Sequence, residues 1–323
     1  MTTSLKFRML KFIVLAALVA LTWYAFEKRS ASLPPKPYRL LPMELYKIIS
    51  PLNYKYLLNQ PDLCQNRKPF LVLLIPVTPQ NSEARTTIRK TWGQENLVPN
   101  VDIVRVFVLG EPREHDPKLE EDLQKESVAY RDIVQMDFLD TYNNLTIKTM
   151  MIMNWVASYC PSAKYAMKID ADIFLNVPYL IKYLQNKAKH NYITGSVIND
   201  GRPRRHQDSK WYVSEELYSA NMFPPYVAGA GYVFSVDLAK KILLASKFVR
   251  PIPIEDVYVG LCLHFLSIRP EFAWTLLPYR NLFELRCLEY DRCTFARLII
   301  VTGFTSTKLM SMWTDFQNAA FSC

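Results

Sequence analysis

Two short acidic clusters are the side chains best placed to do chemistry. Asp170-Ala171-Asp172 follows directly on the run Tyr165-Ala166-Met167-Lys168-Ile169. Two carboxylates at i and i+2 on a tight turn can face one hard cation together with the oxygens of a diphosphate, because Mg²⁺ and Mn²⁺ favour oxygen ligands. A bare pair of this kind is more often a solvated turn. Its place after a strand, with Ile173-Phe174-Leu175 behind it, lends weight to the metal reading. The second cluster, Glu255-Asp256, lies between Ile252-Pro253-Ile254 and Val257-Tyr258-Val259-Gly260. Acidic residues are stabilised at a helix N-terminus by the helix dipole, which accounts for them without any chemistry. The chemical alternative is a general base that takes a proton from an attacking hydroxyl.

Two further segments could hold a ligand. Arg85 and Arg89 stand four apart on one expected helix face in Arg85-Thr86-Thr87-Ile88-Arg89. Their guanidinium groups could grip phosphate or brace carboxylates, or form an ordinary solvated face. In Tyr226-Val227-Ala228-Gly229-Ala230-Gly231-Tyr232 the small residues Gly229 and Gly231 would let the backbone approach a ligand closely, or mark a bulge in a sheet.

The elements that must position these groups read as an α/β alternation. Phe70–Ile75 and Val104–Leu109 are short apolar runs of the kind found in buried strands, Asp132–Met136 reads as a short strand, and Lys164–Ile169 as a strand that runs straight into the acidic pair. Between them the patterns at 82–92, 118–130 and 145–159 predict helices, so helices should cover both faces of the sheet. Later, strands near 192–195 and 226–235 and helices at 236–246, 255–266 and 308–320 give a mixed sheet. Ligands gather at the carboxyl ends of strands in such sheets, which is where Asp170 falls.

The N-terminus predicts a membrane anchor. Lys6, Arg8 and Lys11 precede an uncharged run from Phe12 to Phe26, closed by Glu27-Lys28-Arg29. The basic flank keeps residues 1–11 cytosolic, the span is 12–26, and the chain beyond it is lumenal. The short span suits a thin internal membrane, and a cleaved signal peptide is the competing reading. Residues 27–63 read as a stem broken by Pro34, Pro35, Pro37, Pro42, Pro51 and Pro61, and 64–323 as the catalytic domain. Six cysteines in a lumenal chain suggest up to three disulfides, and without a CxxC spacing zinc is not indicated. Asn144-Leu145-Thr146 is a glycosylation sequon. The net charge of +9 comes from scattered Lys and Arg with no nucleic-acid motif, and suits an anionic sugar nucleotide better than a nucleic acid.

Taken as an ordered set, 85–93, 107–110, 137–146, 168–176, 210–212, 224–235 and 255–262 resemble the β-1,3-glycosyltransferase family, most of all its galactosyltransferases. The small residue inside Asp170-Ala171-Asp172 and the run Glu255-Asp256-Val257-Tyr258-Val259-Gly260 point to the galactosyl branch. The resemblance implies a GT-A-type fold, Golgi type II topology, Mn²⁺, and inverting transfer from UDP-galactose to the 3-hydroxyl of a terminal N-acetylhexosamine. It implies Asp172 as the main metal ligand with Asp170 beside it, Asp256 as catalytic base with Glu255 next to it, and a donor site drawing on Lys168, Asp170, Arg85, Arg89, Gly229 and Gly231. Relatives that transfer N-acetylglucosamine share the same metal and base, so that donor stays open. One departure stands out. Relatives place a metal-binding histidine in a Val-His context, but here Val301 is followed by Thr302. A hydroxyl is a poorer ligand than imidazole, which also leaves open a glycan-binding relative with weak catalysis.

Overall fold

The computed structural model describes residues 40–276 and 289–317. The expected cytosolic tail, the anchor at 12–26 and the start of the stem lie outside the described residues, as do Cys287, Cys323 and the end of the last expected helix. No helix among the described residues is long and apolar enough to cross a membrane.

The strands are β1 (Tyr56–Leu58), β2 (Leu71–Pro76), β3 (Ile103–Glu111), β4 (Ile133–Leu139), β5 (Tyr165–Ile169), β6 (Ile173–Leu175), β7 (Ile193–Ile198), β8 (Tyr226–Ser235), β9 (Glu271–Phe272) and β10 (Ile300–Thr302). Eight of them form one mixed sheet in the order β1-β4-β3-β2-β5-β8-β7-β9, while β6 and β10 pair separately. β4, β3, β2 and β5 are mutually parallel, and β8 runs antiparallel to both β5 and β7. The helices are α1 (Met43–Lys47), α2 (Ser82–Lys90), α3 (Pro117–Tyr130), α4 (Leu145–Tyr159), α5 (Val177–Leu184), α6 (Val236–Ala245), α7 (Glu255–Phe265), α8 (Arg292–Phe295) and α9 (Ser306–Gln317).

Two cores sit on opposite faces of the sheet, because successive strand side chains point to opposite sides. Val72 and Leu74 of β2 join Met150 and Trp155 of α4, Ile242 of α6 and Leu263 of α7. Leu71, Leu73 and Ile75 join Ile88 of α2, Leu180 of α5 and Trp313 of α9. This double covering is why the central strands read as unbroken apolar runs.

Three findings differ from the sequence reading. Residues expected in the stem reach the sheet: β1 pairs antiparallel with β4, and Ile49, Ser50 and Pro51 are buried. Three residues carry too little periodicity to announce a strand, and an edge needs only one partner. The second concerns disulfides. Cys64 is bonded to Cys160, and Cys293 is also disulfide-bonded. Cys262, however, is a buried free thiol on α7, so the six cysteines do not make three bridges. Burial pushes that thiol up to about 12, which keeps it unreactive. Third, α5 and the β6–β10 pair were not expected; α5 is started by Asn176, whose side chain accepts from the Tyr179 amide.

Arg85 and Arg89 of α2 belong to a buried ion network. Arg85 meets Glu126 of α3 at 2.7 Å; Arg89 meets Glu126 at 2.6 Å and Asp132 at 2.7 Å; Arg105 of β3 meets Asp132 at 2.7 Å. The Arg89 guanidinium also stacks 4.0 Å from the Tyr130 ring centroid. The two donors are thus occupied by carboxylates, the bracing role among those considered from sequence. Removing one partner of a buried pair leaves a charge uncompensated. Glu126→Ala is therefore expected to destabilise the fold by about 3 kcal/mol, read as a shift in the urea midpoint. An unchanged midpoint would mean the network is solvated.

Candidate active site

Every residue of β5 is buried, including Lys168. A buried ammonium must be paired. Lys168 Nζ lies 2.7 Å from Asp170 Oδ1 and 2.9 Å from Glu255 Oε1, and it also donates to the Gly229 carbonyl. Register explains the meeting. β5 pairs with β8 so that Lys168 faces Tyr232 and Ile169 faces Gly231, which sets the Gly229 segment beside the end of β5. Burial lowers the Lys168 pKa, but Asp170 and then Glu255 outweigh it and leave it raised. The two acidic clusters, 85 residues apart in the chain, thus share one cation.

Glu255 and Asp256 occupy different layers. Glu255 is buried, with its second oxygen accepting from Thr149 Oγ1 at 3.2 Å and Tyr232 Oη at 3.3 Å. Burial, opposed by Lys168 and reinforced by Asp256, pushes its carboxyl from 4.5 up to about 7. Asp256 is only partly covered and opens into a cleft of about 660 Å³. Its Oδ2 accepts from the Gly229 amide at 2.9 Å, and Oδ1 accepts from the Val257 amide at 2.8 Å. Burial raises its pKa, and those backbone bonds oppose the rise. The result is a carboxylate aimed by two fixed donors with lone pairs left over. Glu255 sits behind it, paired with Lys168.

Gly229 is required by this geometry. A Cβ there would stand 2.8 Å from Glu255 Oε1 and 3.2 Å from Asp256 Oδ2. Gly231 is different: a Cβ would make ordinary contacts with Met167 and Ile300 at 3.4 and 3.6 Å. Gly260 completes the approach of α7 to β8, since a Cβ there would stand 2.4 Å from Tyr226 Cβ.

On the other side of the cluster, exposed Asp172 lines a cleft of about 380 Å³. Its other walls are the loop after β2 (Val77, Thr78, Asn81) and the start of α9 (Phe304, Thr305, Ser306). That loop is held from behind. Arg85 donates to the Thr78 and Pro79 carbonyls, and buried Lys148 donates to the Val77 carbonyl at 3.1 Å while pairing with Asp140. Arg85 thus shapes the wall without facing the cleft, and Arg89 lies farther back in the ion network. The Asp172 carbonyl accepts from Gly303 and Phe304, and Thr302 pairs with Ile173. The position expected for a metal-binding histidine is therefore beside Asp172, and the buried Thr302 hydroxyl there has no hydrogen-bond partner.

No group of three or more His, Cys, Asp or Glu among the described residues could hold a metal by itself. Asp172, with Asp170 two residues back, offers carboxylate oxygens of the kind a hard cation accepts, and the other ligands of such a cation would have to come from outside these two side chains.

Other site residues escaped the sequence reading. Lys148, Thr149 and Tyr232 were not singled out, although a lysine inside the apolar run Ile147–Met153 of α4 is the signal of a buried charge. Tyr142, just before α4, has its pKa raised chiefly by burial, with Trp211 opposing the rise and Asp256, Glu255 and Asp170 adding to it. Asn144 is half-buried, and its Nδ2 donates to the Leu139 carbonyl at 2.8 Å, so the atom that would carry a glycan is already engaged.

Residues 83–272 match the family described as Galactosyltransferase. Over 268 residues, 82% of this chain, the sequence is 43% identical to beta-1,3-galactosyltransferase 2 of Mus musculus and of Homo sapiens. That stretch spans 63% of those relatives. Over 274 residues, 84% of this chain and 81% of the relative, it is 40% identical to beta-1,3-galactosyltransferase 1 of Mus musculus.

Two outcomes test the site. Gly229→Ala should push apart Glu255 and Asp256, cutting any turnover by at least about 10²-fold, the scale set for a displaced general base; wild-type rates would show that the clash is absorbed elsewhere. The Glu255 proton is held in the fold between pH 4.5 and about 7, where the unfolded chain has already released it. This group therefore favours the fold at low pH and withdraws that stability as pH rises through about 7. Urea denaturation at both ends of this window should show a smaller loss for Glu255→Gln than for the parent, and an identical loss would refute the raised pKa.

Proposed function

The chain belongs to the galactosyltransferase family, and on that premise we propose that it transfers galactose from UDP-galactose to the 3-hydroxyl of a terminal N-acetylhexosamine, inverting the anomeric carbon. The observation that carries the reading is the shared Lys168 ammonium, which brings Asp170 and Glu255 together between two clefts, one lined by Asp172 and the other by Asp256. In this reading the donor lies on the Asp172 side and the acceptor on the Asp256 side. The mixed sheet, with an acidic turn at the end of β5, supports reading the domain as a GT-A-type fold. Residues 12–26 would anchor it as a Golgi type II protein, with a stem after the anchor and the catalytic domain lumenal.

A divalent cation such as Mn²⁺, held by Asp172 with Asp170, would offset the charge that develops on the departing UDP. The chain's own residues do the rest. Asp256 takes the proton from the acceptor hydroxyl as it attacks. The Gly229 and Val257 amides fix the orientation of that carboxylate. Lys168 keeps Asp170 and Glu255 from repelling each other across the junction. Arg85 and Lys148 hold the loop that walls the donor cleft. Direct displacement needs no covalent intermediate, so no serine or cysteine nucleophile is required.

Asp256→Asn should lower turnover by about 10²–10⁴-fold while UDP-galactose still binds with Mn²⁺ in calorimetry; Asp172→Ala should instead weaken that binding. Full turnover by Asp256→Asn would overturn the assignment. Running the same assay with UDP-N-acetylglucosamine decides between the two donors.

A further inference from the structure

The cleft in front of Asp256 has a chemical character that the reaction alone does not demand. Its walls include the rings of Trp211, Tyr226 and Phe223, suited to the apolar faces of sugars. Its rim also carries two exposed guanidinium groups, Arg202 and Arg204. Neither makes an ion pair with a carboxylate among the described residues, whereas Arg67, Arg85, Arg89 and Arg105 each have one. A third cation is close by: Lys210 Nζ sits 4.5 Å from the Trp211 ring centroid and 5.5 Å from that of Tyr142. The carboxylates on this cleft are Asp256 and the exposed Asp200.

The loop bearing these cations is built rather than loose. Gly201 lies against the Tyr226 ring, where a Cβ would stand 2.6 Å from Cε1, and the Phe223 amide closes onto the Gly201 carbonyl at 2.8 Å. Arg204 bridges to Tyr212, and the Val213 amide donates to the Arg204 carbonyl at 3.0 Å. The Arg205 guanidinium ties the loop together through the carbonyls of Val213, Tyr218 and Ala220. The backbone under Arg202 and Arg204 is thereby fixed beside Tyr226, whose hydroxyl is pushed up to about 12 by burial, then by Asp256 and Asp200, with Arg204 opposing the rise.

We infer that the acceptor is an anionic glycan, with a sulfate or carboxylate near the sugar that receives galactose, held by Arg202 and Arg204 while a ring stacks on Trp211. This rests on the proposed transferase reading and names its acceptor class. Guanidinium groups recognise planar or tetrahedral oxyanions through paired N–H donors. With Asp256 facing the reacting hydroxyl, the two arginines select what lies on the flanking part of the same glycan.

The test uses the full chain in nanodiscs and three acceptors ending in N-acetylglucosamine: neutral, 6-sulfated, and with a uronic acid as the next sugar. We expect one of the two anionic acceptors to exceed the neutral one by about tenfold in kcat/KM, mainly through KM, as for a desolvated charge-assisted contact. The two anionic arms identify which oxyanion is read. The double variant Arg202→Ala, Arg204→Ala should bring the anionic-to-neutral ratio close to one, and Asp200→Asn should raise it. A neutral acceptor used as well as both anionic ones, or a preference that survives the double variant, overturns the inference. Direct binding of the same acceptors to Asp256→Asn, followed by NMR line broadening, decides the matter independently of turnover. Tighter anionic binding supports the inference, and equal binding overturns it. Absence of transfer with preferential anionic binding would count against the proposed reaction and leave the acceptor assignment standing.

Discussion

The site depends on one buried ammonium. Lys168 is buried, so its ammonium must be paired, and the two carboxylates that meet it come from the turn after β5 and from the start of α7. Either carboxylate alone would face a repulsive neighbour, since Asp170, Glu255 and Asp256 crowd one small region. The lysine converts that repulsion into attraction, and with the Gly229 carbonyl it locks the end of β5 to β8. The price appears in Glu255, whose carboxyl is pushed up to about 7 although a cation stands against it.

Helix α4 carries the same logic outward. Its polar residues Thr146, Lys148 and Thr149 are all buried, and each is tied to a different part of the site. Thr146 donates to the Ile252 carbonyl ahead of α7, Lys148 to the Val77 carbonyl after β2, and Thr149 to Glu255. One helix therefore sets the spacing between the loop after β2 and the acidic end of α7. The rest of that helix is anchored in the core by Met150, Trp155 and Val156, so the spacing is rigid.

Two clefts flanking a shared cluster also separate the residues that line open clefts from those that lie behind them. Asp172 and Asp256 line the two clefts, while Arg85, Lys148, Lys168 and Glu255 are buried behind them. Arginines spaced for a phosphate grip proved to be buried counter-charges for Glu126 and Asp132. Lying behind the cleft does not make Arg85 dispensable, because the loop it holds is the wall of the cleft.

Much of this was legible in the sequence. The apolar runs that became β2, β3 and β5, the full length of α4 and β8, and the two acidic pairs follow from local patterns, because a strand covered on both faces must be apolar throughout and a carboxylate pair at a strand end is a local fact. Local patterns could not show that β1 leaves the stem to join β4, since a three-residue edge strand has no periodicity to read. Nor could they show that Cys262 stays a thiol, or that the Arg85 and Arg89 donors already have partners, because those depend on what α3 and the core bring alongside. The meeting of Lys168 with Glu255 was likewise decided by tertiary structure: it follows from the antiparallel register of β5 on β8 and the seat of α7 against Gly229, long-range pairings that only a packed sheet can fix.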